Sequence, residues 1–267
     1  MQYPQNIETQ LPACITVNDL TVGYGDFVLM RNISFTVRKG DIFIIMGGSG
    51  CGKSTLLRVL MGLKSPRTGQ VHYGESDFWN GTNAERQVIM RRAGVLFQGG
   101  ALWSSMTLAE NVGLPLQQYT TLSPHDIREQ ASLKLALAGL AGFEDYYPSE
   151  ISGGMRKRAG LARALALDPD ILFLDEPSAG LDPLSARLLD DLILELRQTM
   201  QKTFVVVSHD LASIFAIGNN SLFLDTQTRT VSAKGNPSEL LQTPTTDLTV
   251  LRFLTRGGYD ESHEVGI

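Results

Sequence analysis

No apolar run in this sequence approaches the roughly 18 residues that a membrane-spanning helix needs. The best runs are short, at 42–46, 171–174 and 204–207, so any link to a membrane is expected to go through a partner. Residues 1–12 are polar and lack the basic-then-apolar order of a signal peptide. Cysteine is scarce. Cys14 and Cys51 are the only two, without a spacing pattern, which argues for a reducing compartment, the cytoplasm. A basic excess is missing too: 23 Lys and Arg against 28 Asp and Glu leave a net charge of −5. That disfavours a dedicated nucleic-acid binder, which carries a basic face. Repeats and low-complexity segments are absent. What remains is a 267-residue chain, 43% hydrophobic and 19% charged, which suits one large domain, alone or with a subdomain, around a sizeable core.

Residues 15–22 and 33–38 read as strands; in the second, Ile33, Phe35 and Val37 alternate with Ser34 and Thr36. Residues 41–46 form a continuous apolar run before Gly47, as in a buried parallel strand. A helix apolar nearly all round follows, with Leu56, Leu57, Val59, Leu60 and Leu63, and is expected to be buried. Further buried runs end at Gln98, Asp175 and Ser208. Between the last two, a helix is expected to bury Leu184, Leu188, Leu189, Leu192, Ile193 and Leu196 and to expose Arg187, Asp190, Asp191 and Glu195. Short strands alternating with helices give an α/β fold with a mostly parallel sheet. Residues 123–166 have helical periodicity only and read as a helical subdomain inserted into the sheet domain. Residues 248–254 suit a short terminal helix, with a polar tail at 257–267.

The strongest local signal is Gly47-Gly48-Ser49-Gly50-Cys51-Gly52-Lys53-Ser54-Thr55, between a strand and a helix. Its glycines let backbone N–H groups curl around phosphate oxygens, and the helix start favours an anion. Lys53 places a positive charge on the β- and γ-phosphates. Ser54 offers a hydroxyl to Mg²⁺, with Thr55 as a helper. A dinucleotide fingerprint does not fit, because Lys53 stands where its third glycine is due.

Downstream, the run 171–174 delivers Asp175 and Glu176 to a strand end, the edge where parallel sheets bind ligands. Asp175 is placed to hold Mg²⁺, directly or through water, and Glu176 to polarise the attacking water. An acidic pair alone would be an ordinary solvated strand end; the phosphate loop upstream makes it specific. His209 follows the strand at 203–207 and Gln98 the strand at 94–97. The imidazole suits a hydrogen bond to a γ-phosphate, and the neutral amide can orient water and reach Mg²⁺ without adding charge. A structural or surface histidine and a plain polar strand end are the plainer alternatives.

Ile151-Ser152-Gly153-Gly154-Met155 precedes a helix expected to begin near Arg156, with Ser152 suited to cap it. This segment resembles the signature motif of the ABC ATPases. The family's other elements stand in family order: the loop at 47–54, Gln98, Asp175 and Glu176, Ala179-Gly180-Leu181-Asp182, and His209. Tyr24 matches the aromatic that stacks on adenine. The resemblance covers roughly residues 14–240. It implies a P-loop NTPase (RecA-like) core with an N-terminal antiparallel β subdomain and a helical subdomain at about 99–166, followed by 241–267 as a short helix and tail. It also implies an ATP hydrolase working as a head-to-tail pair with a second copy. ATP and Mg²⁺ on one copy's loop would be capped by Ser152, Gly153 and Gly154 of the other, with Asp182 across the interface.

The signature departs from the family pattern at Ile151, where Leu is usual, and at Met155, where Gln is common. Together with residues 97–103 and 111–116, the Met-type signature is similar to the ATPases of Mla-type transporters, which work with MCE proteins and move phospholipids between bacterial membranes. That likeness implies an integral membrane permease, an MCE-type substrate-binding protein and a small accessory subunit as partners, at the cytoplasmic face of the inner membrane. A lipoprotein, drug or nutrient transporter is the alternative. A repair or translation ATPase is disfavoured by the single phosphate loop, the missing long coiled coil and the acidic balance, and no nucleic-acid partner is expected. A small-metabolite kinase has no use for a signature motif. After Gln98 the glycines at 99 and 100 suggest a mobile segment. Leu102, Trp103 and Met106 then either line a groove for a permease helix or fill the helical subdomain's own core.

Overall fold

The computed structural model describes residues 11–243 and 246–256; the polar tail expected at 257–267 lies outside them. The chain begins with two long strands, β1 (Ala13–Tyr24) and β2 (Phe27–Arg38), paired antiparallel. With β4 (Thr68–Tyr73) and β5 (Ser76–Asp77) they form an antiparallel sheet in the order β2-β1-β4-β5. Alternation drives this sheet: Ile15, Val17, Leu20 and Val22 of β1 are all fully buried on one face.

The second sheet holds six strands in the order β10-β9-β3-β8-β7-β6. These are β3 (Ile42–Gly47), β6 (Ala93–Leu96), β7 (Ile171–Asp175), β8 (Thr203–Val207), β9 (Asn220–Leu224) and β10 (Val231–Lys234). All its pairings are parallel except β10 with β9. Each residue of β3, β7 and β8 is buried, as the continuous apolar runs require of strands covered on both faces.

Two apolar layers flank this sheet. One, between the sheets, encloses α1 (Lys53–Leu60), whose Leu56, Leu57, Val59 and Leu60 are fully buried. Leu63 falls beyond the helix end and is 62% exposed, contrary to the periodicity reading. The other layer holds the helical insertion α3 (Leu108–Tyr119), α4 (Pro124–Leu137) and α5 (Gly153–Ala164) together with α6 (Pro183–Met200) and α7 (Leu211–Ile217). α2 (Asn83–Arg91) precedes β6, and α8 (Pro237–Leu240) and α9 (Leu248–Leu254) follow β10. α9 packs Val250, Leu251 and Leu254 inward and sets Phe253 against Phe223, with ring centres 5.2 Å apart.

α6 departs from its expected faces. Leu184 and Leu188 stand 69% and 47% exposed, whereas Asp190 is 4% exposed. Helix α7 covers the position of Asp190, and Ser213 of α7 donates to Asp190 Oδ2 at 2.8 Å. Asn111 on α3 is fully buried and polar. Its Oδ1 accepts from Trp103 N (2.7 Å), and its Nδ2 donates to the carbonyls of Trp103, Met106 and Thr107 at 3.0, 3.1 and 2.9 Å. One amide thus satisfies the backbone of the connector into the insertion.

Candidate nucleotide site

β3 ends in Gly47, where the chain turns with φ +145°. A Cβ there would lie 2.4 Å from the Leu224 carbonyl oxygen, so the turn beneath β9 admits only glycine. The loop then opens a cleft of about 660 Å³ lined by Lys53, Ser54, Gln98, Glu176 and His209 with the loop glycines. Positions 48 and 50 face open space, where an added Cβ would meet nothing closer than 3.9 Å. That is room for phosphate oxygens beside the backbone. Lys53 donates to the carbonyls of Gly47 (2.9 Å) and Gly48 (3.0 Å), which holds its ammonium across the loop mouth.

At the base of the cleft Ser54 Oγ donates to Asp175 Oδ1 at 2.8 Å. A hydroxyl and a carboxylate, both hard oxygen donors, fit the ligand set of Mg²⁺. Next to them Glu176 has φ +49°, a left-handed backbone that costs a non-glycine residue about 1–3 kcal/mol. Glu176 N donates to the Val207 carbonyl at 2.9 Å, and Glu176 Oε1 lies 2.8 Å from His209 Nδ1. Glu176 is 9% exposed and Gln98 is exposed at the cleft. The geometry brings the acid, the histidine and the amide to one opening. Gln98 sits two residues past the end of β6, in the loop rather than at the strand terminus.

Cys51 is turned away from the cleft. It is 4% exposed, and its Sγ lies beneath Gly47, 2.9 Å from where a Cβ would stand. Burial raises its pKa, against the opposing pull of Lys53. Its Sγ instead accepts from Lys53 Nζ at 3.9 Å, beneath the loop. Tyr24 stands 50% exposed outside the cleft wall. Its hydroxyl is 3.3 Å from Thr55 Oγ1 and the Lys64 ammonium sits 3.9 Å over its ring, both of which lower the phenol's pKa, the Thr55 contact most.

The signature segment does not line this cleft. Ser152 is exposed, and its Oγ accepts from Met155 N at 3.2 Å, so α5 begins at Gly153 rather than near Arg156. Gly153 leaves room, but a Cβ on Gly154 would meet Ser185 Cβ and Oγ at 2.9 Å. Close packing against α6 accounts for Gly154 within the chain itself. Asp182 is exposed and caps α6 by accepting from Ser185 N at 3.0 Å, which lowers its carboxyl's pKa.

The segment after Gln98 is held. Gly100 N donates to the Phe97 carbonyl (2.8 Å), and Arg163 donates to the carbonyls of Gly100 (2.9 Å) and Ala101 (2.7 Å). Leu102 packs into the core, Met106 is half-buried and Trp103 is 60% exposed. The nearby groove of about 370 Å³ is lined by other residues, among them Met90, Arg91, Phe97, Pro115 and Tyr119. Sequence reasoning also missed Lys157, buried in α5 against the site, and Phe253 and Arg256, which reach the cleft from the C-terminal end. Phe253 and Arg256 lie far from the motifs along the chain, and Lys157, two residues past Met155, carries no sign of its burial in the sequence.

Comparison with known proteins agrees with this geometry. The ABC transporter family model matches residues 30–179. The chain is 40% identical over 240 residues to the intermembrane phospholipid transport system ATP-binding protein MlaF of Haemophilus influenzae, covering 90% of this chain and 89% of that one. It is 36% identical to MlaF of Escherichia coli K12, covering 93% and 91%. A probable ribonucleotide transport ATP-binding protein, mkl of Mycobacterium tuberculosis, is 42% identical over 74% of this chain and 55% of its own. Among solved structures, the dimeric post-hydrolysis cassette MJ0796 bound to ADP and Pi superposes with a TM-score of 0.75 at 29% identity, covering 83% of this chain and 98% of that one. The cbiO1 protein of Clostridium perfringens, part of the ABC transporter complex cbiONQ, gives 0.79 at 25% identity, covering 86% and 91%. With its loop, acid pair and histidine converging on one cleft, the chain belongs to the ABC transporter family of ATP-hydrolysing subunits.

Proposed function

We propose that this chain powers phospholipid movement between bacterial membranes as the ATPase of an Mla-type transporter. The carrying observation is likeness along nearly the whole chain to two MlaF proteins. In this reading Tyr24, the loop 47–55 and Lys53 bind ATP. Ser54, Asp175 and Gln98 would hold Mg²⁺, which would supply positive charge to neutralise the phosphates. Glu176 takes a proton from the attacking water as its oxygen bonds to the γ-phosphorus and ADP leaves. His209, fixed by Glu176, hydrogen-bonds the γ-phosphate.

One copy presents its loop and its signature at separate places, which supports a head-to-tail pair. Ser152, Gly153 and Gly154 then cap nucleotide on the partner copy, and Asp182 joins the two sites. The pair sits on the cytoplasmic face of the inner membrane, bound to a permease, with an MCE-type protein and a small accessory subunit in the complex. No helix among the described residues is long and apolar enough to cross a membrane. The groove beside Phe97 and Tyr119 offers a seat for a permease helix.

The trans role is tested by mixing Lys53→Ala with Ser152→Arg subunits. One composite site then carries both lesions and the other neither, so ATPase should return. Full activity of Ser152→Arg alone would sink the role. The cargo is tested by reconstituting the complex in vesicles holding labelled phospholipid. A ribonucleotide cargo, favoured by the mycobacterial relative's name, is the second reading, and ATP-dependent movement of nucleotide with no lipid transfer would establish it instead.

A further inference from the structure

The start of α5 faces two ways. Ser152 and Gly153 point outward at its N-terminus, and one and a half turns on, Lys157 turns inward. Lys157 is 6% exposed. Its ammonium donates to the main-chain carbonyl of Gln98 and to that of Glu176, the latter at 3.1 Å. These are the two residues that meet the attacking water and the metal. The carbonyl it holds on Glu176 belongs to the residue in the left-handed backbone.

The rest of α5 lies just as close to the segment after Gln98. A Cβ on Gly160 would stand 2.7 Å from Leu96 Cδ1 and 3.1 Å from the Gly100 carbonyl oxygen. Arg163 takes the carbonyls of Gly100 and Ala101. The helix therefore holds this loop from Gln98 to Ala101 through two cations and through close packing at Gly160. Burial lowers the pKa of Lys157, while the carboxylates of Glu176 and Asp175 raise it. An ammonium in that place satisfies two buried carbonyls with charge-assisted bonds, which an apolar side chain cannot do.

We propose that Lys157 is a positioning residue that ties the outward end of α5 to Gln98 and Glu176 of its own site, so that capture of Ser152 by nucleotide on a partner copy sets the hydrolytic geometry here. Ser152 and Lys157 lie about 7.5 Å apart along the axis, at roughly 1.5 Å per residue, and a helix moves over that span as one body. Hydrolysis in the pair is then cooperative, since ATP bound on one copy positions Glu176 on the other. The proposal rests on the reading that Ser152 acts across the interface.

The test compares full-length wild type with Lys157→Met, Lys157→Arg and Ser152→Arg. Each is measured for binding of a fluorescent ATP analogue and for ATPase rate against ATP concentration. Wild type should show a Hill coefficient above about 1. Lys157→Met should bind the analogue within about twofold of wild type, yet lose roughly ten- to a hundredfold in kcat together with its cooperativity. Lys157→Arg, whose guanidinium can still donate to both carbonyls, should recover most of the rate. Should Lys157→Met fail to fold by circular dichroism, Lys157→Gln takes its place with the same expectation, lost cooperativity at retained binding. Wild-type kcat and Hill coefficient in the neutral variant overturn the proposal. So do binding lost in proportion to rate, an arginine variant as slow as the neutral one, or a non-cooperative wild type. Ser152→Arg separates the two levels. Full activity there removes the trans reading itself, whereas an inactive Ser152→Arg beside a cooperative Lys157→Met removes only the tie.

Discussion

Asp190→Asn should stabilise the protein at pH 8 and much less so at pH 5. Burial between α6 and α7, helped by the neighbouring Asp210 and Asp191 and opposed by Ser213 and Arg187, raises the Asp190 carboxyl to about 6. Ser213 donates to Asp190 Oδ2, while Oδ1 has no partner. An acid whose folded pKa is raised binds more protons folded than unfolded, so stability falls as pH rises from about 4 to about 6 and stays low above. From the ordinary aspartate value of 3.8, the rise amounts to about 3 kcal/mol of penalty at pH 8. Asparagine keeps an acceptor for Ser213 and removes the charge, but it places an unpartnered amide N–H where Oδ1 stood, at a cost of about 1–2 kcal/mol. The net gain at pH 8 should be about 1–2 kcal/mol. It should shrink by about 1.4 kcal/mol at pH 5, where wild type is already largely protonated. Urea unfolding of both proteins at the two pH values measures this. An equal gain at both, or a loss at pH 8, would refute the desolvation reasoning and mean that the carboxylate is compensated.

Lys53→Ala should abolish ATP binding, because no other loop residue brings a charge to the phosphates; a fluorescent nucleotide titration reads it. Glu176→Gln should still bind ATP and accumulate an ATP-bound pair by size-exclusion chromatography, and turnover at the wild-type rate would remove Glu176 as the base. Cys51 should resist maleimide under native conditions with or without ATP and react once unfolded, given its 4% exposure; rapid native labelling by mass spectrometry contradicts that burial. Trp103→Glu should leave unfolding free energy within about 0.5 kcal/mol, as at other exposed sites, whereas Tyr119→Glu, in the groove itself, should weaken co-purification with the permease. Unchanged co-purification of the Tyr119 variant would remove the groove as the docking surface.

The sheet and the loop were legible because each rests on a local rule. Continuous apolar runs mean strands covered on both faces, and β3, β7 and β8 are buried throughout. The phosphate loop combines a residue pattern with its strand-and-helix context. The readings that failed depended on contacts from afar. Periodicity exposes Asp190 and buries Leu184, because it does not know that α7 covers one side of α6 and leaves the N-terminal leucines open. Gly99 and Gly100 look mobile in sequence, yet Arg163, some sixty residues away, holds their segment. Lys157 reads as an ordinary helix cation until its depth is known.

Asn111 sets a limit on how the helical insertion can diversify. Its amide closes the connector onto α3 by bonding residues 103, 106 and 107 at once, in full burial. An added residue there would pull at least one carbonyl away and leave a buried polar group unpaired, at about 1–3 kcal/mol. The connector is therefore a ruler of fixed length. Length variation belongs at exposed connections such as 120–122, between α3 and α4, instead. Transplanting the whole insertion between homologues should succeed only when the connector travels with the asparagine that measures it.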